Sequence, residues 1–523
     1  MRRTAVTPLF VAVSFAWFVA ADRAAAESTA DGYCKSGNAW LDKGDYDRAI
    51  AAYSDAVRLD PTNASAYCGR GDAWYMRGGD DKAIADYSEA IRLAPGFAQG
   101  YAQRGNALRA KGDYDAAIRD YDRALRLNPR HASACRDRGV AWGRKGQNDK
   151  AIADLGCALR LNPTDASAYS ERAVVWVNGH EYDKAIADCN EAIRLRPNFG
   201  DAYVNRGNAW CGKGDRGKAI QDYDEALRLR PGDATTYRNR GEAWLASGEY
   251  DKAIGDLTDA VRLSPRSAEA RYSRGVAWRA TGEGAKAIED FTGAIRLDPG
   301  FADAYLCRGR TRAVCGCLAD AIADFTDAGR LNPKDAWARY FRGIARDAKG
   351  EHAGAIADYT EAIRLDAKLA TAYCARGRAH FCEAENGKAI ADFDDAIRLD
   401  PKDSEAYYGR GLAFAWAGEG GRGKAIADLT EAIRLNPKHA QAYFNRGAVE
   451  FQASEHDKAI ADFTAAIQVA PNFADAYYGR GASYYAKGEN TKADEDIARA
   501  KKLGYKPKGE AKPGSSGDKG GSR

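Results

Sequence analysis

Residues 418–424 read Gly-Glu-Gly-Gly-Arg-Gly-Lys, the spacing of a phosphate-binding loop in which backbone N–H groups cradle a phosphate. That chemistry needs a Ser or Thr after the lysine to hold magnesium, and a strand before the first glycine. Ala425 stands where the hydroxyl belongs, and the residues before Gly418 have helical spacing. The segment is therefore expected to be an enlarged turn, and a nucleotide-binding accessory to an enzyme is the remotest of the functions considered. Cys315-Gly316-Cys317 is spaced too tightly for a zinc hairpin, and the six histidines are scattered. No HExxH, nucleophile elbow or CxxC occurs. The sequence thus predicts no enzyme activity, no cofactor and no metal.

Arginine and aspartate recur in a way that suggests a partnership. Arginine stands at Arg70, Arg104, Arg138 and onward to Arg480, and aspartate at Asp86, Asp120, Asp154 and onward to Asp496, thirteen times each. At the one place where the arginine is missing (Ser36) the aspartate is missing too (Ala52). Losing one alone would strand a partly buried charge. The pair is expected inside one hairpin, as a structural ladder. A second periodic arginine, from Arg58 to Arg434, falls in the last turn of a helix, where a cation meets the negative end of the dipole.

The elements that carry these residues follow from a 34-residue period. Proline marks it from Pro61 through Pro95 and Pro129 to Pro471, with Ala367 in its place once. Fourteen copies begin at 30, 64, 98, 132, 166, 200, 234, 268, 302, 336, 370, 404, 440 and 474, and only the twelfth is longer, by two residues. Each copy reads as two amphipathic helices broken near position 15, which is Gly in eleven copies, and stopped by the proline. Alanine holds positions 20 and 27 in every copy, and glycine holds position 8 in all but the fifth, which has Ala173. Glycine inside a helix costs about 1 kcal/mol, so its recurrence implies the close approach of another helix. His380 and His456 occupy positions that packing residues take elsewhere.

These residues resemble the tetratricopeptide repeat, whose signature is spread over positions 4, 8, 11, 20, 24, 27 and 32. The departures are Ala367, His180 and Ala384 at the inter-helix turn, and Arg at position 7. The resemblance implies an all-α, right-handed α-solenoid superhelix of antiparallel helix pairs, with positions 2, 5, 9, 12 and 13 of the first helices lining a concave groove. In copies three to nine those positions include Asn106, Arg109, Arg136, Arg144, Asn208, Arg238, Arg279 and Arg310; in copies ten to fourteen they include Tyr340, Phe381, Tyr408, Trp416, Phe444, Phe451, Tyr478 and Tyr485. The first set would favour acidic segments, and an aromatic surface of the second kind marks an interaction site. The alternative is that the aromatics pack between adjacent first helices. The family's carboxylate clamp, which needs a basic residue at 5 and Asn at 9, is not met: Val140 follows Arg136 and Glu242 follows Arg238.

A solenoid buries each repeat only against its neighbours, so residues 30–505 are expected to be one elongated domain whose last copy, with Asp494-Glu495-Asp496, is its cap. Residues 1–26 begin Met1-Arg2-Arg3, continue through an apolar run from Ala5 to Ala21 and end in Ala24-Ala25-Ala26, the pattern of a cleaved secretory signal. The alternative is an anchor through residues 5–21, the only route to a membrane. Residues 506–523, rich in Gly, Ser, Lys and Pro, are expected to be disordered. A net charge of +4, spread periodically, gives no footing for nucleic acid. The eleven cysteines are scattered and odd in number, and are read as small core or groove residues rather than a disulfide framework. The expected function is an exported scaffold that binds a protein or peptide in its groove; the alternative is an architectural solenoid that builds an assembly.

Overall fold

The computed structural model describes residues 29–506, so the expected leader (1–26) and all but the first residue of the expected tail (506–523) lie outside it. Among the described residues twenty-eight α-helices follow one another in fourteen pairs, with a single short 3-10 turn, Glu419–Gly421, and no strand. The first pair is α1 (29–42) and α2 (Tyr46–Leu59), and the last is α27 (Ala474–Ala486) and α28 (Asn490–Lys502). The chain divides into two compact units, one ending at Pro265 and one starting at Arg266. Within each unit a helix touches only the next helix in sequence or the one after it, as in a one-dimensional array.

The third pair shows why each copy folds as it does. The first helix, α5 (Ala98–Ala110), ends at Gly112, whose φ of +84° turns the chain, and the Asp113 carboxylate caps the second, α6 (Tyr114–Leu127), by accepting from the Ala116 N–H. In the three copies without glycine at that turn, His180, Ala384 and Ser454 hold the same left-handed backbone, with φ near 60°. Ala117 and Ala124 are fully buried on α6, and between them lies the fully buried ring of Tyr121. A Cβ added at Gly105 would stand 2.7 Å from that ring, which explains the glycine at position 8. Gly275 against Phe291 and Gly309 against Phe325 repeat the relation. The fifth copy confirms it in reverse: Ala173 supplies a methyl, and the residue opposite is the small Cys189, also fully buried.

Where position 24 is tyrosine, its hydroxyl donates to position 9. Tyr87 donates to Asp72 at 2.7 Å, Tyr121 to Asn106 at 2.7 Å and Tyr223 to Asn208 at 2.8 Å. In the tenth copy the partner position is Ile344, and the buried Tyr359 hydroxyl has no hydrogen-bond partner.

The arginine ladder is an intra-hairpin one. Arg104 donates to both carboxylate oxygens of Asp120, at 2.7 and 2.8 Å, and the same fork recurs in each copy from the second to the last. The enlarged twelfth copy keeps it, with Arg410 at 2.7 Å from both oxygens of Asp428. The remaining guanidinium nitrogen reaches position 25 of the preceding hairpin: Arg104 to Ser88 at 3.1 Å, Arg138 to Asp122 at 2.6 Å, Arg206 to Asn190 at 2.7 Å. Each such arginine therefore ties two hairpins together. The Asp120 hydrogen bonds raise the pKa of Arg104 above the usual arginine range. Arg172 is different, because position 25 before it is Gly156, with no side chain to receive the third nitrogen.

The last helix is polar, as a terminal repeat must be: Asp494 and Glu495 are exposed, while Asp496 is buried and bonded to Arg480 at 2.7 Å.

Candidate binding surfaces on the first helices

In the first unit the expected arginines do not all face solvent with a free charge. Arg136 donates to Asp165 at 3.0 Å and to Asp137 at 3.2 Å, so two carboxylates already neutralise it. Arg238 lies 3.7 Å from Glu242 on its own helix. Asn106 and Asn208 accept from the core tyrosines, and Asn208 also lines a cavity of about 310 Å³. Arg144 is exposed and lines a cavity of about 220 Å³ with Val140, Val174, Val175 and Glu171. Burial raises the pKa of Glu171, against the pull of Arg144, Arg109 and Arg136, and the Nε of Arg109 is buried without a hydrogen-bond partner. Glu171, at position 6, thus belongs to this cluster although it lies outside the set of groove positions.

In the second unit two expected residues meet at a larger opening. A cavity of about 480 Å³ is lined by Arg279 from α15 (Ala268–Ala280), by Arg310 and Val314 from α17 (Ala302–Val314), and by Phe341 and Ile344 from α19 (Ala336–Ala348). The Arg310 guanidinium sits 4.8 Å from the centre of the Phe341 ring, and Trp337 stacks on that ring at 5.7 Å. Val314 is 90% exposed and Trp337 44%. Both stand at groove positions, 13 and 2, so the sequence held the signal for them. Phe341, at position 6, did not carry one.

The aromatic residues of copies ten to fourteen divide between packing and exposure. Tyr340 packs on Tyr359 at 6.0 Å, and Phe444 lies between Phe463 at 5.6 Å and Phe473 at 5.1 Å. Tyr408 leans on His439 at 4.5 Å and its hydroxyl accepts from Asn445 at 3.0 Å. Tyr478 stacks on Tyr505 at 4.2 Å, and Phe451 meets His456 at 5.4 Å. Tyr485 is exposed, its hydroxyl donating to Asp494. Trp416 is 75% exposed, with Phe381 at 6.5 Å edge-on. A stripe of continuous aromatic surface is therefore not what these eight residues form; Trp416 and Tyr485 carry most of what is open.

The glycine-rich segment is preceded by helix α23 (Ser404–Trp416), with Gly418 in the left-handed region, the 3-10 turn after it, and α24 (Arg422–Leu435) following. The strand that a phosphate loop requires is replaced by a helix. His380 is buried and bonded to Glu385 at 2.6 Å. No helix among the described residues is long and apolar enough to cross a membrane.

Family models described as TPR repeat match residues 37–78, 348–381 and 448–488, and models described as tetratricopeptide repeat match 98–131, 143–198, 204–266, 239–300 and 374–422. The chain belongs to the tetratricopeptide repeat family. Several solved structures are similar to it. The Cut9–Hcn1 hetero-tetramer of the APC/C is 15% identical over 90% of this chain and 96% of that one, with a TM-score of 0.45. Yeast Tom70 is 18% identical over 85% and 99%, with a TM-score of 0.37. MamA is 30% identical over 31% of this chain and 93% of its own, with a TM-score of 0.29. No curated protein matches the chain in sequence.

Proposed function

We propose that this repeat protein is an exported, non-enzymatic scaffold that holds an extended, acidic segment of a partner protein on the open faces of its first helices. The observation that carries the reading is the cavity of about 480 Å³ where Arg279 and Arg310 stand beside exposed Val314 and the Phe341 ring. Such a site suits a carboxylate next to an apolar side chain, the charge fixing approach and register and the apolar group supplying burial. The basic start, apolar run and Ala-rich end of residues 1–26 support export.

The test captures a partner with the mature chain and measures its affinity at low and high salt. Arg279→Ala with Arg310→Ala should flatten the salt dependence, and Val314→Ser should weaken binding by about 1 kcal/mol at every salt concentration. If these variants and Trp416→Ala bind as tightly as the parent throughout, the first-helix faces are not the site and a self-assembling architecture takes their place.

A further inference from the structure

Two cysteines far apart in sequence meet in the fourth hairpin, and they are not explained by the groove. Cys135, on α7 (Ala132–Arg144), and Cys157, on α8 (Asn148–Leu161), place their sulfurs 3.2 Å apart. They occupy positions 4 and 26 of the copy. Elsewhere those positions also face each other: Tyr101 has Arg123 at 6.0 Å from its ring, Tyr477 has Arg499 at 6.0 Å, and the Arg271 side chain runs along Gly293. Position 4 is Tyr in eleven of the fourteen copies and Arg in two more, and position 26 is charged in eleven; a cysteine appears at either place only in copy four, where it appears at both. Two departures from the repeat pattern thus coincide in one hairpin and touch. A pair of unrelated packing cysteines has no reason to do so.

The geometry points to Cys135 and Cys157 as a cross-linking site, an intra-hairpin disulfide that staples α7 to α8 once a small disulfide such as oxidised glutathione supplies the oxidising equivalents. Bond formation requires the sulfurs to close by about 1.2 Å, to the ~2.05 Å of a disulfide. Cys135 is buried at 2% exposure and Cys157 only half-buried, so Cys157 is the sulfur an external oxidant reaches first. Cys157 gives its proton to solvent and attacks one glutathione sulfur, breaking the glutathione disulfide and releasing one glutathione thiolate. Cys135 then loses its proton and attacks Cys157 Sγ, which breaks the mixed disulfide and releases the second thiolate. Two protein thiols are oxidised and one glutathione disulfide is reduced, which balances. Burial pushes the Cys135 thiol up to about 12, so the second step should be the slow one and should speed up as pH rises.

The reduced full-length chain is incubated, folded, with a glutathione redox buffer, then quenched, denatured, alkylated and digested with trypsin without reductant. Peptides 131–136 and 151–160 should be recovered joined, with two fewer alkylated thiols than the eleven cysteines of the sequence. The oxidised chain should show slower hydrogen exchange in 132–161, and this gain should vanish in Cys157→Ser, a half-buried and nearly isosteric change, while that variant keeps its helix content. Recovery of both peptides fully alkylated from the folded chain overturns the inference, as does joining of Cys135 to other cysteines as often as to Cys157, or cross-linking that requires denaturant. Because the reaction uses purified protein and no partner, its failure would leave the binding and export readings where they stand.

Discussion

Replacing Asp120 with alanine removes both oxygens to which Arg104 is bonded, leaving that guanidinium only the Ser88 hydroxyl at 3.1 Å. The corresponding change one copy later, Asp154→Ala, leaves Arg138 with a full carboxylate, Asp122, at 2.6 Å. The two sites are matched in exposure, both arginine side chains being 24% exposed and the aspartates 10% and 12%; they differ at position 4, where Arg104 has the Tyr101 ring at 5.8 Å and copy four has Cys135. Stranding one member of a buried pair costs about 3 to 5 kcal/mol, and the residual exposure of Arg104 places Asp120→Ala near the low end, about 3 kcal/mol. A surviving charge-assisted bond is worth about 1.5 to 3 kcal/mol, so Asp154→Ala should cost no more than about 1.5 kcal/mol. Long arrays do not unfold as one unit, and a global midpoint would blur the difference. Hydrogen exchange of the amides in 98–127 and 132–161, on the reduced chain, reads each hairpin separately. The expected contrast is about tenfold or more in protection lost. Equal losses at the two sites would refute the bridging role of position 25. A loss below about 0.5 kcal/mol at Asp120 would mean the ladder behaves as an ordinary surface ion pair.

Two further outcomes follow from single contacts. Cys189→Phe should destabilise the fifth hairpin by about 1 to 3 kcal/mol because its ring meets the Ala173 methyl, and adding Ala173→Gly, the combination found at Phe291 and Gly275, should restore most of that loss; thermal unfolding of the two variants checks it. Glu450, buried beside Asp462, has its carboxyl pushed up from 4.5 to about 7, first by desolvation and then by the Asp462 charge. The unfolded chain releases that proton near 4.5, so the stability Glu450 contributes is complete below that pH and is lost as pH rises through about 7. Glu450→Gln should therefore match the parent near pH 4 and exceed it by about 1 to 3 kcal/mol at pH 8; urea titrations at the two pH values showing no difference would remove Glu450 as the cause.

The repeat made some contacts legible and hid others. The Arg–Asp fork could be read because copy one lost both residues together, Ser36 and Ala52, an internal double substitution. The second half of the same interaction was equally visible: position 25 is Ser, Thr, Asp or Asn in twelve copies, but without knowing that the third arginine nitrogen points at the preceding hairpin, those residues look like ordinary exposed helix residues. The groove was harder. A helix position fixes the direction of a Cβ, not whether the side chain stays there, and Tyr340, Tyr408 and Phe444 turn onto rings supplied by later residues. Arg136 is answered by Asp165, which the repeat pattern gave no reason to pair with it, whereas Glu242, four residues after Arg238 on the same helix, stood at a spacing that could have been read. Cys135 and Cys157 escaped because they are 22 residues apart and pairing them requires knowing that positions 4 and 26 face each other.

The bridging arginines also bear on how the first unit answers a pull along its length. Load passing from one hairpin to the next crosses a hydrogen bond to position 25 at Ser54, Ser88, Asp122, Asn190 and Asp224. Between copies four and five that strut is missing, because Gly156 offers Arg172 nothing to hold. Links in series yield at the weakest, so stretching should open this junction before its neighbours, as a fuse within an otherwise evenly tied row.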